Sequence, residues 1–168
     1  MAKTILTAAI VRELLSYDAE TGAFTWKKEG DGYQRFVGGR VGRVAGCMHN
    51  KGYLQIRIGQ VYLAHRLAWL YVTGRWPEKT IDHIDGNKLN NAFGNLRDVS
   101  SQENAQNLRR PLRTNKLGCQ GVSKHGIKYR ASITANGKRV HIGSFGNAED
   151  AHTAYLAAKR EMHRGCTI

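Results

Sequence analysis

The chain has 168 residues, of which 41% are apolar, enough to support a packed core and to exclude wholesale disorder. Its 26 Lys and Arg outnumber 13 Asp and Glu, so the formal net charge is +13 and the expected partner is a polyanion, most commonly nucleic acid. No apolar run approaches transmembrane length, and charges interrupt the apolar start before a signal-peptide core forms. We therefore expect a cytoplasmic protein that does not enter a membrane.

The first part of the chain alternates helical and strand patterns. Apolar residues at helical spacing after Thr7 predict an opening helix, and AFTWK at residues 23–27 predicts a short strand. The alternation over residues 53–63, interrupted by a Gly-Gln turn, predicts a hairpin. The helical period returns over residues 63–72. His65 lies in this second helix, and its side chain is expected either to pack in the ordinary way or to contact a phosphate.

The stretch IDHIDGN, at residues 81–87, places Asp82 directly before His83 at the end of a predicted strand. Neighbouring strand residues point to opposite faces, so the two side chains must have different partners. A polar, turn-rich loop follows, and then a second short strand at residues 95–99. The S-x-x-E capping box at Ser100 predicts that a helix begins there.

Four residues of this region suit hydrolysis of a phosphodiester with one bound divalent metal. Asp82 and Asn104 offer hard oxygen ligands from two elements and leave positions for water and phosphate oxygens, as Mg²⁺ prefers. His83 can deprotonate the attacking water because its ordinary pKa lies near neutrality. Asn95 is expected to fix the orientation of the imidazole. Each residue alone also suits an ordinary role at the end of an element, but the four together indicate catalysis.

The segment from Ile81 to Asn107 resembles the HNH endonuclease motif, the ββα-metal or His-Me finger fold, in its phage and intron-encoded homing form. The likeness extends upstream through YDAETGAFTWK and YLAHRLAWLYVTG. It implies for the four residues the same roles: general base, two metal ligands and the Asn that orients the base. Because both metal ligands are oxygen donors, the expected cofactor is Mg²⁺ or Mn²⁺ rather than Zn²⁺.

Basic residues dominate the remainder of the chain. Residues 108–120 combine several Arg and Lys with Pro and Gly and little periodicity, which predicts a basic linker. Residues 121–168 predict two strands joined by an Asn136-Gly137 hairpin and a helix with an alanine stripe, capped by Asn147. With the nuclease domain assigned to residues 1–107, the chain is expected to hold two domains joined by the linker.

The C-terminal part also resembles a known family, the APETALA2/ethylene-response-factor DNA-binding domain. The resemblance rests on the segments GV, KYRASI, IGSF and AEDAHTAY. It implies a three-stranded sheet packed on one helix, with the exposed face of the sheet in the DNA major groove. The expected DNA contacts are Arg109, Arg110, Arg113 and Lys116 in the linker and Lys124, Lys128, Arg130, Arg139 and His141 on the sheet.

The sequence thus predicts an α+β protein: an N-terminal antiparallel sheet with helices leading into a ββα-metal motif, then a small three-stranded antiparallel sheet packed on one helix. The predicted function is a site-directed, homing-type endonuclease that binds double-stranded DNA. One active site per chain favours a monomer that nicks, and a dimer that cuts both strands is the alternative. Two further classes stay open: a DNA-binding regulator with an inactive nuclease scaffold, and an RNA-binding or packaging protein.

Overall fold

The α+β class is confirmed: small antiparallel sheets and short helices alternate along the chain. The chain forms two compact units that divide between Val99 and Ser100. No helix in the described part is both long and apolar enough to cross a membrane. Three of the predicted linker contacts, Arg109, Arg110 and Arg113, lie outside the described residues. The computed structural model describes residues 6–27, 41–108, 111, 114–163 and 165–167.

The first unit contains short elements that run in chain order as α1 (Ala8–Leu14), β1 (Leu15–Tyr17), β2 (Phe24–Trp26), β3 (Cys47–Met48), β4 (Leu54–Ile58), β5 (Gln60–Leu63), α2 (Ala64–Thr73), β6 (Thr80–His83) and β7 (Leu96–Val99). Strand β1 pairs with β2, β4 pairs with both β3 and β5, and β6 pairs with β7, all antiparallel. The predicted opening helix, the 53–63 hairpin and the two strands around the IDHIDGN loop are therefore present.

The core of the first unit forms where the two helices meet the strands. Val11 of α1, Phe24 of β2 and Leu67 of α2 are fully buried, as the apolar periods predict. Helix α1 begins at its predicted cap, where the Thr7 hydroxyl accepts a hydrogen bond from a first-turn amide at 3.4 Å. The Arg12 guanidinium donates to the Tyr71 carbonyl near the end of α2 at 2.9 Å, which joins the two helices.

The second unit has its own core between one sheet and one long helix. Its elements are α3 (Ser101–Gln106), β8 (Val122–His125), β9 (Lys128–Ala135), β10 (Lys138–Phe145) and α4 (Ala148–Met162). The sheet order is β10-β9-β8, and Ala151 and Tyr155 of α4 pack on Ala131 and Ile133 of β9. Architecture therefore agrees with the expected three strands and one helix, whereas membership of the APETALA2-like family stays a prediction.

Glycines with positive φ shape two turns of the second unit, one between β9 and β10 and one just before β8. Asn136 and Gly137 both have positive φ, 51° and 75°, as a two-residue hairpin turn requires. Gly121, just before β8, has φ 74°, and a Cβ there would overlap the Tyr155 ring. The division after Val99 also assigns α3 to this unit. The predicted domain boundaries at residues 107 and 120 stay predictions.

Candidate active site

Asp82 and His83 are the last two residues of β6, and both are buried, with 7% and 5% of their surface exposed. The register pairs Asp82 with Arg97 and His83 with Leu96 on β7. Because successive side chains leave a strand on opposite faces, the two residues meet different surroundings. The strand end therefore separates an acid and a base that are adjacent in sequence.

The Asp82 carboxylate forms a two-donor ion pair with Arg97. The guanidinium Nε lies 2.9 Å from Asp82 Oδ2, and Nη2 lies 2.7 Å from the same oxygen. Such charge-assisted hydrogen bonds are stronger than neutral ones and hold the buried carboxylate in one orientation. Arg97 was not identified from the sequence, although its position directly opposite Asp82 follows from pairing the two predicted strands.

The imidazole of His83 is oriented by Asn91, a second residue that the sequence did not single out. His83 Nε2 lies 3.2 Å from Asn91 Oδ1, while Asn91 Nδ2 donates to the Leu89 carbonyl at 3.2 Å, which fixes the direction of the amide. An amide oxygen only accepts, so Nε2 carries the hydrogen and the neutral ring has its lone pair on Nδ1. In this tautomer the basic nitrogen of the ring is therefore Nδ1.

Asn95 holds the loop between β6 and β7. Its Oδ1 accepts from the Asp85 amide at 3.0 Å, and its Nδ2 donates to Asp85 Oδ1 at 2.9 Å and to the Asn90 carbonyl at 2.8 Å. Burial raises the pKa of Asp85, but hydrogen bonds from Asn90 and Asn95 outweigh it and lower the pKa overall. These contacts fix the loop that carries Asn91, so any effect of Asn95 on the His83 ring would act through that loop. Its role in orienting the base stays a prediction.

Two rings pack beside His83. His65 of α2 meets it edge to face, with centroids 5.1 Å apart, and Tyr53 lies 6.1 Å from it and 5.2 Å from His65. Burial, followed by repulsion from His83 and Arg66, lowers the pKa of His65 to about 4. His65 is only 5% exposed, which supports packing rather than the phosphate contact left open above. A neutral imidazole thus lies against the predicted base.

Asn104 lies on α3, which belongs to the second unit. The predicted capping box is present: the Ser100 amide donates to the Glu103 carboxylate at 2.9 Å, and the Glu103 amide donates to the Ser100 hydroxyl at 3.2 Å. Asn104 is half-buried in the middle of this short helix. Its role as a metal ligand stays a prediction. Across the described residues, no group of three or more His, Cys, Asp and Glu side chains is placed to hold a metal.

The predicted DNA contacts on the second unit divide between the two faces of the sheet. Arg130, Arg139 and His141 share the face opposite α4 with Lys128, since each pairs across the sheet with a residue of that face. Lys124 instead pairs with Tyr129, which packs in the core, so the register places it on the other face of the sheet, and its contact with DNA stays a prediction. Lys124 is nevertheless exposed, since β8 is an edge strand of the sheet.

Two arginines of this face differ in how they are held. Arg139 donates from Nε and Nη2 to the Ser132 hydroxyl at 3.1 and 2.9 Å, which lays its side chain along the sheet. Within the described part of the chain, Arg130 Nε is buried without a hydrogen-bond partner. Lys116, in the predicted linker, is exposed. Of these two arginines, only Arg139 is thus held by a side-chain hydrogen bond to Ser132.

Comparison with known proteins defines the class. Residues 62–106 match the HNH endonuclease family, and this segment runs from the end of β5 through α2, β6 and β7 to the end of α3. The chain therefore carries an HNH endonuclease domain and is a nuclease, a hydrolase for which DNA is the implied substrate. HNH endonucleases generally use a divalent metal ion.

The chain belongs to the same family as Protein 3.8 of Escherichia phage T7. The two are 36% identical over 102 residues, which cover 59% of this chain and 83% of that protein. A protein of Acanthamoeba polyphaga mimivirus, named Uncharacterized HNH endonuclease L560, is 32% identical over 106 residues, covering 62% of this chain and 54% of the mimivirus protein. No solved structure matches the chain significantly.

Proposed function

We propose that the chain is a homing-type endonuclease that hydrolyses double-stranded DNA, with His83 as the general base and one Mg²⁺ or Mn²⁺ bound by Asp82 and Asn104. The observation that carries the proposal is the hydrogen bond between His83 Nε2 and Asn91, because it leaves the lone pair of the neutral ring on Nδ1. A histidine held in one tautomer at the end of a strand is prepared to accept a proton from water.

The donor set fits a hard divalent cation. One carboxylate and one amide oxygen, completed by water and phosphate oxygens, are the ligands that Mg²⁺ accepts, since it keeps much of its hydration shell. When bound, the ion would stabilise negative charge on the phosphate. Arg97 shares the Asp82 carboxylate through Oδ2 and holds it in place for this role.

The residues of this chain divide the remaining work. His83 takes the proton of the attacking water at Nδ1, and Asn91 keeps the ring in the required orientation. The cations of the second unit and of the predicted linker bind the DNA backbone and bring the scissile phosphate to the site. We propose a monomer that nicks one strand, acting in the cytoplasm of a host cell, with a dimer that cuts both strands as the alternative.

A DNA-binding regulator with an inactive scaffold is the second candidate. The ion pair between Asp82 and Arg97 favours it, because a carboxylate engaged by a guanidinium has less charge to offer a metal. A regulator, however, has no need for a base fixed in one tautomer.

Incubation of supercoiled plasmid with purified protein, with Mg²⁺ or with chelator, separates the two candidates. The nuclease should convert the plasmid to nicked circles only when Mg²⁺ is present, and the His83→Ala variant should leave the plasmid supercoiled under both conditions. His49→Ala, a histidine in the turn between β3 and β4, is the matched control and should cut normally. Binding without cleavage under all metal conditions would establish the regulator, and cleavage that survives chelation would remove the metal from the proposal.

A further inference from the structure

Helix α3 is too small to be stable through its own contacts. It has six residues, none of them buried, and isolated helices of this length do not form in water. The capping box stabilises its first turn, but nothing in that motif fixes the last turn. Tertiary contacts must therefore help to hold the helix that carries Asn104.

The chain after α4 supplies one set of these contacts. The Gly165 amide donates to Gln106 Oε1 at 3.0 Å, and the Thr167 hydroxyl donates to Asn107 Oδ1. Gly165 is buried, and a Cβ at this position would overlap the carbonyl oxygen of Glu103. Only glycine lets the two backbones approach this closely without a shift. The tail thus packs directly on the backbone of α3.

Helix α4 supplies the second set. Lys159 is 1% exposed, and its ammonium group donates to the Leu108 carbonyl at 2.6 Å and to Gln120 Oε1 at 3.3 Å. Gln120 Nε2 donates to the same Leu108 carbonyl at 3.1 Å. A buried cation just beyond the end of a helix also interacts favourably with the helix dipole. The chain leaving α3 is therefore anchored by two donors.

We propose that Lys159, Gly165 and Thr167, here called the C-terminal clamp, are positioning residues for the nuclease site. The clamp holds α3, and Asn104 with it, so that the metal ligand is presented in one geometry. Its residues lie more than fifty positions beyond the matched HNH segment and touch neither DNA nor metal in this role. The proposal rests on the metal role proposed for Asn104.

Gly165→Ala tests the clamp, with Gly146→Ala as the matched control. Both positions lack a positive φ, but a Cβ at Gly146 meets open space, so only Gly165→Ala pushes on α3. Amide hydrogen exchange over residues 101–107 is measured first, without metal or DNA. We expect faster exchange in Gly165→Ala and wild-type exchange in Gly146→Ala, with the amides of β9 protected in both. Equal exchange of α3 in the two variants would overturn the proposal.

A milder pair of variants guards against general unfolding. Thr167→Val removes the hydroxyl that binds Asn107 and keeps the side-chain shape, and Thr153→Val makes the same change at an exposed position of α4. The first should raise α3 exchange and weaken Mn²⁺ binding, followed by electron paramagnetic resonance, by about tenfold, as loss of a group that orients a ligand does. The second should change neither, and identical behaviour of the two would also count against the clamp.

Asn104→Ala in the same Mn²⁺ titration keeps the two proposals separate. If Asn104→Ala binds Mn²⁺ as the wild type does, the metal role fails, whereas the exchange rates of Gly165→Ala still decide whether the clamp holds α3. If Asn104→Ala loses Mn²⁺ but Gly165→Ala binds it normally, the metal role stands and the clamp is overturned as a positioning element.

Discussion

His83 Nε2 and Asn91 Oδ1 lie 3.2 Å apart, and Asn91 is almost completely buried, with 1% of its surface exposed. The Tyr17 hydroxyl also donates to the Asn91 carbonyl at 2.7 Å, so both the backbone and the side chain of this residue are held. The ring of His83 is thereby held by a neighbour whose side chain does not ionise. Both residues can be tested separately.

His83→Ala should lower the cleavage rate by about 10² to 10⁴, which is the usual effect of removing a general base. DNA affinity should be unchanged, because the base acts on water. The rate is measured under single turnover with saturating enzyme, and affinity by titration in chelator. A variant that cuts at the wild-type rate would exclude His83 as the base.

Asn91→Leu keeps the volume of the side chain but leaves His83 Nε2 without its acceptor. We expect the single-turnover rate to fall by about 10²-fold, because the ring no longer presents Nδ1 in one direction. Asn50→Ala, at an exposed position of the turn between β3 and β4, is the control and should cut normally. Unchanged cleavage by Asn91→Leu would show that the hydrogen bond does not position the base.

Burial of His65 should make the stability of the first unit depend on pH. The pKa of this histidine is about 4 in the folded chain, against an ordinary value of 6.5, so the unfolded chain binds the proton more tightly. Stability is therefore full above pH 6.5 and falls by about 3 kcal/mol as the pH drops towards 4. Urea unfolding across this range measures the slope. His65→Phe should flatten it, and an equal slope in that variant would assign the pH dependence to other groups.

Arg97→Ala should destabilise the first unit by about 2 kcal/mol, because it removes two charge-assisted hydrogen bonds to a buried carboxylate. Removing Asp82 as well should cost less than the sum of the single changes. Thermal unfolding of Arg97→Ala, Asp82→Ala and the double variant gives the coupling energy. Additive effects of the two changes would mean that the ion pair contributes nothing to stability.

Arg139→Ala should relax sequence preference, because bidentate contacts from Arg to base edges contribute about 1 to 3 kcal/mol of discrimination. Lys124→Ala is the matched control: it removes an exposed cation of the same unit from the other face of the sheet. Arg109→Ala should instead weaken all DNA similarly and lower the salt slope by about one unit. Binding to target and scrambled duplexes at several salt concentrations checks all three, and equal discrimination by Arg139→Ala and Lys124→Ala would argue against base contacts by this face.

Local signals allowed much of the fold to be predicted. A side-chain cap at Thr7, the capping box at Ser100 and the Asn136-Gly137 turn each act within a few residues, so their effect is visible in sequence. Leu15 shows the limit: it continues the helical spacing of α1, yet it is the first residue of β1, because pairing with Trp26 outweighs the local period.

The same limit applies to the site. Asp82 and His83 stand out because their chemistry and spacing are unusual, whereas Asn91 is one of several asparagines in a turn-rich loop, and nothing in the spacing distinguishes it. Only the folded loop shows which amide faces the ring. The contacts of the C-terminal clamp join residues more than fifty positions apart, so no local sequence pattern predicts them.

The buried backbone contact of Gly165 bears on how such a nuclease can be altered by mutation or by design. A premature stop codon after α4 would leave every residue of the HNH motif intact and still be expected to silence the enzyme, because α3 would lose its support. For the same reason, retargeting cleavage by replacing the chain after α3 with a foreign DNA-binding module should yield an inactive chimaera. A working fusion must keep at least residues 159–167 and their contacts with α3 and the chain that follows it.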